Sequence, residues 1–164
     1  MVVDFALMEN ITRKFVASDN LMVKIACLEE LEYLVHQVDN AADFIKLGGI
    51  DLMLDTIIRG EETDLQIFAS NVMAAAAQSN SAVQIHVVKR NGPKILIEKL
   101  ADENNDLVIK KVMYVLSTVI RNFPAAQSQF LQFNGIEILK KTVTKSTNVV
   151  RSVLTLISDI GNVL

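Results

Sequence analysis

The chain has 164 residues, 51% of them apolar, 21% charged and 5% aromatic, with no tryptophan and a formal net charge of −3. That length and apolar fraction are enough for a buried core and exclude a disordered chain, and the negative balance argues against a nucleic-acid groove, which needs a cationic face. Abundant Leu, Ile, Val, Ala and Met fit packed helices better than a sheet sandwich, and no apolar run reaches the length of a membrane span.

Residues 2–15 read as a leading helix, moderately periodic through Val2, Phe5, Ala6 and Met8; residues 1–17 lack the basic start, long apolar run and cleavage site of a signal peptide. Asn10-Ile11-Thr12 is a glycosylation acceptor by sequence, a tripeptide that also arises often by chance. Ser18-Asp19-Asn20 offers a cap for a helix from Leu21 to Gln37, with Leu28, Leu31, Val35 and Val38 on one stripe and Glu29, Glu30, Tyr33, His36 and Gln37 on the other side. The lone Cys27 within it excludes an internal disulfide and reads as a small buried hydrophobe. Asp39 or Asn40 caps a short helix ending near Leu47, and residues 50–58 follow as a helix buried on most sides. Beyond the polar turn at residues 60–64, Thr63 or Asp64 caps a helix from Leu65 to Gln78, where Leu65, Phe68, Ala69, Val72, Met73 and Ala76 turn inward and Ala74 to Ala77 permit close approach.

A short helix over Ser81 to Lys89 leads to Gly92, with Pro93 as a first helical residue. The cap-rich turn at residues 102–106 opens a third long helix, with Val108, Val112, Val115, Leu116 and Val119 as core and Lys111, Tyr114, Thr118 and Arg121 on another face. Pro124 opens a short helix to Phe133, residues 136–143 form the next, and Thr147-Asn148 caps a final helix to about Leu164 carrying Val150, Val153, Leu154, Ile157 and Ile160.

Three glycines, Gly49, Gly92 and Gly135, stand 43 residues apart. Phe44, Val87 and Phe130 lie five residues before them, Ile45, Val88 and Leu131 four before, and Leu52, Ile95 and Ile138 three after. A spacing within the roughly 40–47-residue period of armadillo and HEAT units, with its apolar neighbours in register, predicts an all-α armadillo-repeat right-handed solenoid of about three to four repeats. The glycines are expected to supply φ > 0 at tight corners. Residues 1–164 read as one armadillo-like domain, 1–17 a leading segment and 18–164 the repeats, the trimmed core of a longer parent.

Reactive chemistry finds no support. His36 and His86 sit on different helices about one repeat apart, no Cys or His has metal-ligand spacing, and there is no Walker loop, dinucleotide fingerprint or nucleophile elbow. Glu61-Glu62 falls in a turn. No enzyme activity, metal or cofactor is expected, and function is assigned to a surface. The tryptophan and asparagine ladder by which armadillo import receptors read basic peptides has no tryptophan to build it here, so a folded domain is the expected ligand.

The stretch LEELEYLVHQVDNAADF at residues 28–44, with Ile120-Arg121-Asn122-Phe123-Pro124-Ala125-Ala126-Gln127, Gln129-Phe130-Leu131 and the Gly-Gly and Asn-Gly corners, resembles the armadillo-type nucleotide exchange factors of the heat-shock protein 70 chaperones. The resemblance spans about residues 20–160. Asp39-Asn40-Ala41 is shared by both branches of that family, whereas Tyr33, His36-Gln37 and Phe123-Pro124 favour the endoplasmic-reticulum branch, whose chaperone is BiP, over the cytosolic one. It implies a monomer in the reticulum lumen that needs no cofactor, binds the chaperone's ATPase domain in an opened arrangement and so speeds ADP release. The sequence departs from that family at the second repeat, where Asn71 and the four alanines stand in a helix otherwise more aromatic. Turning the apolar stripes inward leaves Glu30, Tyr33, His36 and Gln37 on the first long helix, Asn71 and Gln78 on the second, and Lys111, Tyr114 and Arg121 on the third as candidate partner contacts. Arg121 has a competing role in capping its own helix, as Asn40 and Asp43 have in capping and first-turn charge. A generic armadillo scaffold and a cytosolic-branch exchange factor are the alternatives.

Overall fold

The computed structural model describes residues 2–161. Every regular element among them is helical: α1 (Val2–Ala17), α2 (Leu21–Val35), α3 (Val38–Lys46), α4 (Gly49–Arg59), α5 (Thr63–Ala77), α6 (Ser81–Lys89), α7 (Gly92–Asp102), α8 (Asp106–Ile120), α9 (Pro124–Gln132), α10 (Gly135–Lys145) and, after a 3-10 turn at Thr147–Val149, α11 (Val150–Ile160). The predicted order of helices is found, and the last predicted turn, 162–164, lies outside the described residues. Two long helices are capped within the segments that offered caps, in each case by an asparagine: Asn20 Oδ1 accepts from the Val23 amide at 3.1 Å, and Asn105 Oδ1 from Leu107 at 3.0 Å and Val108 at 3.4 Å. Elsewhere the caps move. Gln37 precedes α3 and Glu62 precedes α5, neither with a side-chain cap bond, and Ser146, not Thr147 or Asn148, caps the 3-10 turn by accepting from the Asn148 amide.

The recurring glycines do a different job from the one expected. The left-handed residue at each corner is the one before, Gly48 (φ 73°), Asn91 (φ 55°) and Asn134 (φ 60°), and asparagine tolerates that conformation better than most residues. Gly49, Gly92 and Gly135 are the first residues of α4, α7 and α10. A Cβ on Gly49 would lie 2.1 Å from the Phe44 ring, on Gly92 2.2 Å from the Val87 methyl, and on Gly135 2.4 Å from the Phe130 ring. Glycine is there for space. Phe44, Val87 and Phe130 are wholly buried, each filling the notch opened by the glycine five residues on. The same hydrogen bonds recur at all three corners: the left-handed residue donates to the carbonyl three residues back (Gly48 to Ile45, Asn91 to Val88, Asn134 to Leu131) and accepts from the amide four residues on (Leu52, Ile95, Ile138).

The chain divides into two compact units, with the boundary at Val83 and Gln84 inside α6. In the first, α5 packs on α2 and α4, α1 covers α2, and α3 joins α1, α2 and α4. Its core is built on Leu28, Leu31, Phe44, Ile50, Met53, Ile57, Val72 and Met73, and Ala74 to Ala77 are all buried, which lets α5 approach its neighbours closely. Cys27 is buried as expected, its thiol pushed up chiefly by desolvation. Val38 is not part of the α2 stripe: α2 ends at Val35, the helical register restarts with α3, and Val38 is exposed. In the second unit α8 packs on α7, α9 and α11, around Leu96, Leu100, Ile109, Leu116, Phe130 and Leu156. The turn between α7 and α8 is tied by Glu103, whose carboxylate meets Lys99 Nζ at 2.7 Å and accepts the Asn104 and Asn105 amides at 2.8 Å each.

Two measurements check these assignments. Gly135→Ala should lower stability by about 1–3 kcal/mol in denaturant unfolding, because the Phe130 ring must leave its seat, whereas Asn134→Gly, at the true left-handed position, should change it little or raise it slightly. Glu103 is held below the ordinary carboxylate range: burial is the largest single influence and opposes this, but the Lys99 and amide hydrogen bonds together outweigh it. A lowered folded-state value contributes stability above the ordinary glutamate pKa that disappears as pH falls through the folded value. Unfolding measured down the acid limb should therefore lose stability more steeply in the parent than in Glu103→Gln.

Candidate partner-binding surface

On the first unit, α2 is buried along Cys27, Leu28, Leu31, Leu34 and Val35, and the opposite side carries Met22, Ala26, Glu29, Glu30 and Tyr33, the last 77% exposed. His36 and Gln37 follow in the exposed link to α3. Gln78 is exposed at the end of α5, and Asn71 is half-buried on it. Asn40 does not face outward. Only 2% exposed, it donates Nδ2–H to the Leu34 carbonyl at 3.0 Å and to Asp4 at 3.5 Å, fastening α3 to the end of α2 and to α1. It is neither a cap nor open to a partner. Asp43 lies in an ion pair with Lys46 at 2.6 Å. Asn10 is exposed on α1 and accepts from Arg13 at 3.4 Å.

On the second unit, Tyr114 is exposed on α8 beside half-buried Lys111, but Thr118, placed with them by the sequence, is buried and donates its hydroxyl to the Val115 carbonyl at 2.8 Å. Arg121 follows the last turn of α8 and reaches across to α11, its Nε 2.8 Å from Asp159 Oδ1 and its Nη2 3.2 Å from Oδ2, while the Ser117 hydroxyl also donates to Asp159. The hydrogen bond to Asp159 is the main influence raising the guanidinium pKa. Its own carbonyl and that of Thr118 are satisfied by Gln84 Nε2–H at 3.0 Å, so the self-capping role falls to a side chain of α6. Gln127, 43 residues after Gln84, likewise donates to the Asp159 carbonyl at the end of α11, at 3.1 Å. Short-helix glutamines close the ends of long helices, a device the spacing of 43 could have revealed.

The same spacing exposes a second omission. Leu107, Lys111 and Tyr114 of α8 correspond to Val150, Leu154 and Ile157 of α11. The apolar residues of α11 divide between two faces: Val153, Leu156 and Ile160 are buried, while Val150 (37%), Leu154 (62%) and Ile157 (37%) are open. With Leu107 and Tyr114 on the neighbouring helix, they give the second unit an apolar outer face of adjacent long helices.

Stacked helix groups, a 43-residue corner and outward faces on the long helices define an armadillo-type helical repeat protein. A designed armadillo repeat protein solved with a peptide superposes with a TM-score of 0.81, covering 93% of this chain and 64% of that one at 10% identity, and another engineered protein with 0.80, covering 94% and 62% at 16% identity. These establish the fold. Residues 40–161 match the SIL1/FES1/HPBP1 C-terminal domain, and the chain belongs to that family. Nucleotide exchange factor SIL1 of Xenopus laevis is 36% identical over 139 residues, 84% of this chain and 30% of that protein; Sil1 of Drosophila melanogaster is 36% identical over 141 residues, 84% and 33%; and Hsp70 nucleotide exchange factor FES1 of Saccharomyces cerevisiae is 27% identical over 130 residues, 78% and 45%. The chain thus spans about a third of the length of the Sil1 proteins it matches.

The Arg121–Asp159 pair is the feature of this surface most open to direct test. Because it is bidentate and half-shielded, a double-mutant cycle with Arg121→Ala and Asp159→Ala should return a coupling of about 1–2 kcal/mol in unfolding free energy. Additive single mutants would mean that the pair does not hold α11 to α8.

Proposed function

We propose that this chain is the chaperone-binding domain of a nucleotide exchange factor of the Sil1 branch, acting as a monomer in the endoplasmic-reticulum lumen on the ATPase domain of a BiP-like heat-shock protein 70 chaperone. The observation that carries the reading is membership of the exchange-factor family at 36% identity to proteins named Sil1, above the 27% shared with the Fes1 protein. The chemistry it calls for is binding alone. ADP holds the chaperone's lobes closed; a domain that binds the opened lobes better opposes ADP through linkage, typically by about 1–3 kcal/mol, and nucleotide leaves faster. No cofactor and no bond-making step in this chain are required.

The contacts we assign are Glu30, Tyr33, His36, Gln37, Asn71 and Gln78 on the first unit and Lys111 and Tyr114 on the second, now extended to Leu154 and Ile157. Exposed tyrosines supply rigid amphipathic area at little entropy cost, and exposed leucine and isoleucine supply anchors that lose water on docking. Arg121 becomes a positioning residue that keeps α11 beside α8, while Asn40, buried, and Asp43, paired with Lys46, leave the contact set.

The test is release of labelled ADP from the lumenal chaperone with and without the domain. Tyr114→Ala with Leu154→Asp should keep the helical circular dichroism of the parent, since both side chains are exposed, and should weaken chaperone binding by about 2 kcal/mol or more, with acceleration of release lost in proportion at sub-saturating domain. Release that the parent domain does not accelerate would leave a scaffold in place of an exchange factor, and full activity in the double variant would move the working face elsewhere.

A further inference from the structure

A groove of about 400 Å³ runs between α1 and α2, floored by Leu7, Ile11 and Leu34 and walled by Tyr33, Glu29 and Glu30. Its lining is mostly apolar although it opens to solvent, with Leu7 43% exposed. Buried Ile11 and Leu34 bring the floor down to the core of the unit, so an inserted side chain would meet packed hydrocarbon. Among the described residues Glu29 and Glu30 have no hydrogen bond or ion pair, unlike Glu103, Asp43 or Asp159, and no lysine, arginine or histidine lines the groove. Two uncompensated carboxylates beside an apolar slot, with an exposed aromatic face at its edge, are what a positively charged amphipathic segment needs.

We propose that this groove docks a basic amphipathic segment of a partner protein, which places an apolar side chain between Leu7, Ile11 and Leu34 and sets Lys or Arg against Glu29, Glu30 and the Tyr33 ring. The three contributions are distinct. The slot removes apolar area from water, the carboxylates give charge complementarity that steers encounter and fixes register, and the tyrosine face attracts the cation. Engagement of an amphipathic segment through one apolar face laid into a groove between helices is a recurrent recognition mode, and the size of this one suits one or two anchoring side chains. An anionic lipid surface would be repelled by the same two carboxylates. Glu30 and Tyr33 also belong to the contact set assigned above, so a chaperone and this segment would compete there; the peptide is read without a chaperone, and its failure to bind leaves the exchange reading standing.

The chain supplies its own reporter. It contains two tyrosines and no tryptophan, so in a Tyr114→Phe background Tyr33 is the sole fluorescent side chain of that kind, and it lines the groove. The probes are two synthetic helical peptides of equal length and identical leucine positions, one with lysine and one with glutamate at every other site. The lysine peptide should change Tyr33 fluorescence saturably, more weakly as salt is raised. The paired substitution Glu29→Lys and Glu30→Lys, at exposed positions that leave the helix intact, should weaken the lysine peptide roughly tenfold or more and bring in the glutamate peptide. Leu7→Glu, at the floor, should weaken the lysine peptide despite the added negative charge, which separates docking in the slot from simple charge attraction. Equal binding of the two peptides by the parent, unaltered lysine-peptide binding in the paired lysine variant, or stronger binding in Leu7→Glu would overturn the proposal.

Discussion

The architecture depends on one steric constraint, the contact of a buried side chain with the backbone of a glycine five residues later. Phe44 on Gly49, Val87 on Gly92 and Phe130 on Gly135 each bring the end of a short helix against the start of the next at a distance no Cβ permits. With the left-handed residue between them and its two backbone hydrogen bonds, the contact fixes the angle at which the second helix leaves. The helix that the glycine begins then packs against the next long one, α4 on α5 and α7 on α8. Buried phenylalanine rings at two of the corners have dense packing on every side and cannot move to admit even a methyl group without disturbing the core.

The amide-bearing side chains form a second layer on this frame. A helix end leaves carbonyls without intrahelical partners, and a buried end must find donors elsewhere. Asn40 supplies one to the end of α2, Gln84 two bonds to the end of α8, and Gln127 one to the end of α11. Each is itself buried, so losing the amide would strand a carbonyl away from water, at a cost of about 1–3 kcal/mol. These residues have polar names and structural work. Arg121 belongs with them in part, as its half-exposed guanidinium is committed to Asp159 and its carbonyl to Gln84. The outer faces of α2, α8 and α11 instead carry exposed Met22, Tyr33, Leu107, Tyr114 and Leu154, joined on α2 by the carboxylates of Glu29 and Glu30.

Much of this was legible in the sequence because the repeat is written in residue identities. The period of 43, the helix order, the asparagine caps of α2 and α8 and the inward stripes through Leu28, Val72 and Leu116 follow from spacing and propensity alone. The family was legible too, since residues 28–44 and 120–131 carry its motifs. The reason for the glycines was not. A glycine near a turn reads as a φ > 0 position, and only coordinates distinguish that from a notch made for a side chain five residues earlier. Asn40 was misread for a related cause, as asparagine at a helix start is usually a cap, and nothing local says that Leu34 and Asp4 surround it. On α11 the inward stripe was left undecided: Val150, Leu154 and Ile157 lie one residue out of phase with Val153, Leu156 and Ile160, and a run apolar on both sides cannot say which stripe is inside. Aligning α11 to α8 by the period would have resolved it.

The functional account rests on one claim, that this domain distinguishes the opened from the closed arrangement of a chaperone ATPase domain. The direct measurement is calorimetric titration of the domain into the lumenal chaperone's ATPase domain, once nucleotide-free and once saturated with ADP. Linkage requires ADP to weaken the domain by the same factor by which the domain weakens ADP, roughly 5–150-fold for couplings of ordinary size. Tighter binding to the nucleotide-free form by that factor is the predicted result. Equal affinity for the two forms would contradict it, since a ligand that binds both states alike cannot shift the equilibrium between them, however tightly it binds.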